Sequence, residues 1–109
     1  MTEITQWLEP WCSVESLGSE FCDRFRKQFE REVPPGHELY GLPVKLVARG
    51  NGDDCLFQIL DGTKRVAEVH LTWSKGPERL PWPAHAVYPD IDTWVVQSMI
   101  PEHQEWSSE

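Results

Sequence analysis

His70 is the residue whose neighbours best suit it to chemistry. Glu68 precedes it by two positions and Thr72 follows it by two. Residues two apart on a β-strand share one face, so a strand here would set a carboxylate, an imidazole and a hydroxyl side by side. A carboxylate and an imidazole can transfer protons as an acid/base pair or share a metal ion. The simpler interpretation is a half-exposed histidine in a polar cross-strand row.

A metal or nucleophile at this site would need further residues from elsewhere in the chain. The candidates for additional ligands are His37, His85, His103, Asp53, Asp54 and Cys55. None has a recognised ligand spacing, and no cysteine pair of the C-x-x-C type occurs. No G-x-S-x-G turn and no phosphate-cradling glycine loop is present either. The sequence therefore predicts no metal and no cofactor.

A second group of residues is suited to binding. Trp82 stands between Pro81 and Pro83 in the segment 74–83, which proline makes stiff and non-helical. A fixed indole can anchor a ligand or a protein partner, or it can cover one end of the core. Lys45 and Gln58 are further binding candidates, because they are expected on the same sheet face as His70.

A three-stranded antiparallel meander is predicted to position these residues. Residues 44–49, 55–60 and 65–73 have strand-like composition, and Asn51-Gly52 and Asp61-Gly62 between them are typical of hairpin turns. A two-residue loop at Asn51-Gly52 and a three-residue loop after Asp61 would fix how the strands pair.

These loops predict a register for each hairpin. The first would place Leu46 opposite Phe57, and the second would place Phe57 opposite Val69 and Leu56 opposite His70. One face then carries only uncharged, mostly apolar residues and is predicted to be the core: Val44, Leu46, Ala48, Cys55, Phe57, Ile59, Ala67, Val69, Leu71 and Trp73. The other face would hold three rows: Lys45 with Gln58 and Glu68, Val47 with Leu56 and His70, and Arg49 with Asp54 and Thr72.

Helices are predicted to flank this meander. Leu17, Phe21, Phe25 and Phe29 recur every four residues and predict a helix over residues 19–33, closed by the prolines that follow. A short helix is predicted over 10–17, and a third begins with Asp90 or Asp92 as its cap and ends near residue 100, before Pro101.

Together these elements predict one α+β domain. Residues 1–109 form it, with 1–18 as a helical N-terminal extension and 19–106 as the core of the domain. The sheet has three strands, with residues 85–88 as a candidate fourth, and the helices are expected to pack on one face.

The charge balance narrows the range of partners. Acidic residues number 18 against 10 basic ones, giving a net charge of -8, and no lysine or arginine follows Arg79. Binding to a phosphate backbone depends on basic residues, so a nucleic-acid partner is not expected.

The three cysteines favour reduced thiols, and no apolar run suits a signal or a membrane span, so a cytoplasmic protein without membrane contact is predicted.

Several short strings resemble a family of small bacterial proteins of unknown function. They are GHELYG at 36–41, DDCLF at 53–57, VHLTW at 69–73 and Trp82-Pro83, and the similarity spans about residues 33–106. The resemblance implies a bacterial cytoplasmic protein. It carries no functional residue over to this chain.

Two functions are consistent with these features. The first is a non-enzymatic protein-binding or regulatory module that uses Trp82, the mixed sheet face or the acidic C-terminal third. The second is a small hydrolase or metal-assisted enzyme centred on His70, with Glu68 and with His37 or His85 brought close by the fold.

Overall fold

A five-stranded antiparallel sheet forms the centre of the computed structural model, which describes residues 7–107. Its strands are β1 (Cys12–Ser13), β2 (Val44–Arg49), β3 (Asp54–Ile59), β4 (Val66–His70) and β5 (His85–Tyr88), and they lie side by side in chain order. The predicted α+β class and antiparallel meander are confirmed. The sheet is larger than predicted, because β5 joins it as the candidate fourth strand and β1 adds a fifth.

The N-terminal segment forms a strand where a helix was predicted over 10–17. Cys12 and Ser13 pair with Arg49 and Ala48 of β2. This pairing lets the indole of Trp11, which is only 1% exposed, lie directly against Gly50. The first six residues of the predicted helical extension lie outside the described range.

Helix α1 (Gly18–Glu32) covers one face of the sheet, close to its predicted bounds. Phe25 and Phe29 are buried on this helix, and the ring of Phe29 lies 4.8 Å from that of Phe57. These side chains pack on the apolar face of β2, β3 and β4. Together they form the first core cluster, which includes Leu46, Phe57 and Val69. Phe25 and Phe29 therefore form the buried side of the helix, as their spacing predicts.

A β-bulge at Val47 alters the predicted first hairpin. Leu46 pairs with Phe57 as predicted, but Ala48 then pairs with Leu56 because Val47 is an extra residue in β2. The bulge transfers Ala48 to the opposite face of the sheet. There it packs with Leu56 and Trp11, and we call the buried residues on this face the second core cluster. It transfers Arg49 in the other direction, placing its guanidinium 5.6 Å from the ring centre of Phe21.

The second hairpin is shifted by two residues from its predicted register. Leu56 pairs with Glu68, and His70 pairs with Asp54. A shift of two preserves which face each residue occupies, so the core face survives the error. The strand also ends at His70 instead of residue 73, and Trp73, predicted in the core, is 38% exposed with a φ of 57°.

The C-terminal helix covers the face opposite α1, so the prediction of helices on one face is wrong. It consists of α2 (Ile91–Trp94), a π-helical turn (Val95–Met99) and α3 (Ile100–Ser107). Trp94 and Met99 are buried against Leu56. The helix does not stop at Pro101; the wider turn before it accommodates a residue that has no amide to donate. Among the described residues, no helix has the length and apolar character that would let it cross a membrane.

Candidate functional site

The register of β3 and β4 brings three of the polar side chains together. Because His70 lies opposite Asp54, the imidazole Nδ1 and the Asp54 carboxylate form a hydrogen bond. The other ring nitrogen, Nε2, lies 3.7 Å from Glu68 Oε2. The two-residue shift thus creates a histidine held between two carboxylates, with 47% of its side chain exposed.

Glu68 ties this group to the C-terminal helix. Its Oε1 accepts hydrogen bonds from Trp94 Nε1 at 2.8 Å and from the Ser98 hydroxyl at 2.5 Å. The π-helical turn presents Ser98 toward the sheet, and such turns are frequent at functional sites. Both contacts fix Glu68, which leaves its second oxygen facing His70.

The acidic side chains around His70 shift the pKa values of the group. The hydrogen bond to Asp54 raises the pKa of His70, and the charges of Glu68 and Glu102 act in the same direction against partial burial. Burial raises the pKa of Glu102, and the nearby charges of Glu68 and Asp54 raise it further, although the Trp11 indole donates a 2.9 Å hydrogen bond to it. The acids around His70 therefore stabilise its protonated form relative to a free imidazole.

The predicted catalytic trio is split by the structure. Glu68 and His70 are neighbours as expected, but Thr72 lies beyond the end of β4, where its amide and hydroxyl both donate to Glu32 Oε1, at 2.9 and 3.1 Å. Neither of two surface pockets, of about 340 and 320 Å³, is lined by His70 or Glu68. The Asp54–Glu68–His70 group can exchange protons with solvent through the half-exposed His70 side chain, and neither of these pockets encloses it.

The other histidines do not converge on His70. Val69 and His85 are paired across β4 and β5, so His85 projects toward the α1 side, opposite to His70. His37 packs against His85 there, with ring centres 4.3 Å apart and ring planes tilted by 42°, and His103 contacts the carbonyl of Glu9. Within residues 7–107, no group of three histidine, cysteine or acidic side chains is arranged to hold a metal ion.

The proline-rich segment forms a loop that is fixed at several points, and we call residues 74–83 the Pro loop. At its start, the carbonyl of Ser74 accepts from Gln28 at 2.9 Å; in its middle, the amide of Glu78 donates to the main-chain carbonyl of Glu32 at 2.9 Å. At its end, His37 Nε2 and the carbonyl of Pro83 are 3.1 Å apart. Because the Leu39 amide donates to Nδ1, Nε2 carries the hydrogen and is the donor in this bond.

Two apolar side chains of this fixed loop face solvent. Leu80 is 54% exposed and Trp82 is 51% exposed. The amide of Trp82 donates to the carbonyl of Arg79 at 2.8 Å, which closes a turn between them. Trp82 was predicted as a binding residue, and the structure places its side chain on the surface, on a loop whose main chain is hydrogen-bonded.

Lys45 and Gln58, the other predicted binding residues, lie elsewhere. They pair with each other across β2 and β3, as predicted, and Lys45 is exposed. They alternate with the apolar residues that face α1, so they point to the side of the C-terminal helix, whereas the Pro loop is anchored on the α1 side. The structure therefore does not combine them with Trp82 in one surface.

Sequence reasoning missed Glu32, whose side chain holds the chain directly before the Pro loop. Its carboxyl group is fully buried and accepts from four donors, which lie on Gln28, Thr72 and Trp73. Its position was the available signal: Glu32 follows Phe29 by three residues and so falls on the buried side of α1.

Comparison with known proteins gives no assignment, since no family model, no curated protein and no solved structure matches this chain. The resemblance to a family of small bacterial proteins stays a prediction.

Proposed function

We propose that the protein is a protein-binding module that uses Leu80 and Trp82 of the Pro loop as its anchor. The observation that supports this most directly is the combination of exposure and fixation: both side chains are about half exposed, and the loop main chain is bonded to Glu32 and His37. A loop whose main chain is already held in place loses little conformational freedom on binding, so more of the contact energy of Trp82 contributes to affinity. Tryptophan is among the residues that dominate protein interfaces.

Composition supports the same proposal. The chain carries a net charge of -8 and no basic residue after Arg79, which favours partners with a basic surface. We also expect the protein to work in the reducing cytoplasm, because its odd number of cysteines does not suggest a disulfide framework.

The test compares two exposed tryptophans. Wild-type protein, Trp82→Ala and Trp106→Ala would be immobilised and exposed to lysate of the source organism, and the retained proteins would be quantified by mass spectrometry. Trp106 is 44% exposed on the C-terminal helix and is a matched control. A partner retained by wild type and Trp106→Ala, but lost from Trp82→Ala, is expected. Equal retention by all three proteins would contradict the proposal.

A proton-transfer function at His70 is the second candidate. His70 Nδ1 donates a hydrogen bond to the Asp54 carboxylate, which orients the ring, as carboxylates commonly do for a catalytic histidine. Hydrolysis of p-nitrophenyl acetate would be measured for wild type, His70→Gln and the control His103→Gln. A rate that falls only in His70→Gln supports this candidate, and equal rates in all three remove it.

A further inference from the structure

The strand β5 forms an open edge of the sheet directly after the Pro loop. The amide of His70 donates to the carbonyl of Ala84 at 2.9 Å, and in an antiparallel ladder the bonded pairs alternate. Glu68 with Ala86 therefore forms the next bonded pair, so the main-chain groups of His85 and Val87 point away from β4. No strand in the described part of the chain pairs with this outer side, and no loop or turn hydrogen bond involves Val87.

Two of the usual protections against pairing, a blocking side chain and a bulge, are absent within this edge, which is four residues long and is flanked by Pro83 and Pro89. Natural edge strands are commonly blocked by lysine, proline or a bulge, and His85–Tyr88 contains none of these. The opposite edge, β1, is only two residues long. Two amides and two carbonyls of β5 are thus available to a further strand, and Trp82 stands three residues before its first residue.

We infer that the binding partner adds an extended segment to β5 as a sixth strand, with an apolar side chain against Trp82 and with lysine or arginine along its length. This inference rests on the proposed function and specifies how the partner is held. Main-chain pairing along a sheet edge supplies affinity in such complexes, while neighbouring side chains supply specificity.

Charge decides between a foreign segment and a second copy of this chain. Glu38, whose side chain is 60% exposed, lies against His85 at one end of the edge, and the exposed Asp92 follows the other end. No lysine or arginine occurs between Trp82 and Ser107, although Lys64 from the loop before β4 lies near Asp90 at the second end. Pairing two copies edge to edge would bring together two chains of charge -8 each, whereas a basic segment complements these acids.

Peptides selected from a random library on the wild-type protein are the probe. We expect an enriched peptide with alternating apolar positions and basic residues. Two synthetic versions of it would then be compared, one methylated on every second main-chain amide and the other on the intervening amides. A β-strand directs alternate amides to opposite sides, so one version should lose about tenfold or more in affinity while the other binds within about threefold of the parent.

A protein variant tests the same edge from the other side. Val87→Pro removes one outward amide, at a position where an edge strand tolerates proline, and should weaken the peptide about tenfold. Its folding would be checked by circular dichroism, and the methylated peptides decide the question if it does not fold. Equal binding of the two methylated versions would overturn the inference. So would failure to enrich any peptide, or a dimer of the protein alone that Val87→Pro dissociates.

The design separates this inference from the proposed function. If Trp82→Ala abolishes peptide binding while both methylated versions bind alike, then Trp82 is an anchor but the partner is not a strand on β5. If neither Trp82→Ala nor Val87→Pro changes binding of the peptide, both proposals fail.

Discussion

Replacing Glu32 by glutamine should destabilise the protein strongly, although the two side chains have nearly the same shape. The Glu32 carboxyl group is completely buried at the end of α1, and its four hydrogen bonds are 2.6–3.1 Å long. Oε2 accepts from Gln28 and from the amide of Trp73, while Oε1 accepts from the amide and the hydroxyl of Thr72. All four partners donate a hydrogen bond, and the Glu32 carboxylate can only accept hydrogen bonds, so the two sides match.

The magnitude follows from where the new amide must point. If the glutamine NH₂ replaces Oε2, it meets two N–H donors, one of which also bonds the carbonyl of Ser74 and so cannot turn away freely. If it replaces Oε1, the Thr72 hydroxyl can rotate to accept, but the Thr72 amide loses its partner. The second arrangement costs less, and an orphaned buried donor costs about 1–3 kcal/mol. We expect Glu32→Gln to lower the free energy of unfolding by about 2–3 kcal/mol.

Urea unfolding followed by tryptophan fluorescence measures this loss. Glu30→Gln is the control, since Glu30 lies on the same helix, is 54% exposed and pairs with Arg26 at 3.3 Å. Exposed pairs contribute about 0–1 kcal/mol, so the control should change little. If Glu32→Gln unfolds with a free energy within about 0.5 kcal/mol of wild type, the reasoning about orphaned donors is refuted.

Two further predictions concern the face covered by the C-terminal helix. The raised pKa of His70 stabilises the folded protein, and this stabilisation should be complete below pH 6.5, the usual pKa of histidine, and should be lost as the pH rises through the raised pKa. Asp54→Asn should lower the pKa of His70 in an NMR titration. An unchanged pKa would contradict the assigned cause. Gly50→Ala should lower the free energy of unfolding by about 1–3 kcal/mol, because the new Cβ would lie 2.8 Å from the ring of Trp11. Gly76→Ala, which meets nothing within 4 Å, is its control in the same thermal or urea unfolding assay, and equal losses in the two variants would show that the contact with Trp11 is not the reason.

Side-chain periodicity was sufficient to predict the sheet and its core face, but it could not fix the pairing. A shift of two residues leaves every side chain on its predicted face, so the hydrophobic pattern cannot distinguish Leu56 opposite His70 from Asp54 opposite His70. The bulge at Val47 is invisible for a different reason. The residues it exchanges between faces, Ala48 and Arg49, both find favourable surroundings after the exchange.

Long-range contacts decided the features that local patterns left open. Trp73 alternates correctly for a core strand residue, yet its amide and that of Thr72 turn to the buried Glu32, 41 and 40 residues away, and this ends the strand at His70. No window of sequence around residue 73 contains that partner. The candidate site shows the same dependence, since Glu68 is fixed by Ser98, 30 residues later in the chain.

Because α1 and the C-terminal helix cover the two faces of the sheet, its edges and loops are the surfaces left for recognition. The sequence left open whether the face around His70 was solvent-facing, covered or a binding surface; the C-terminal helix buries Leu56 there, while His70 and Lys45 stay in contact with solvent. A sheet enclosed between helices still exposes main-chain groups at its edges and side chains in its connecting loops. In this protein the open edge β5 and the fixed, exposed Trp82 are adjacent in the chain, so a partner can use hydrogen bonds and apolar contact at once. The Glu32 carboxylate holds the amides of Thr72 and Trp73 directly before the Pro loop, and it holds the Gln28 side chain that bonds the carbonyl of Ser74. If Trp82 anchors a partner, Glu32→Gln should weaken that binding even where the variant is fully folded, because the start of the loop loses this support while the main-chain bond between Glu32 and Glu78 remains.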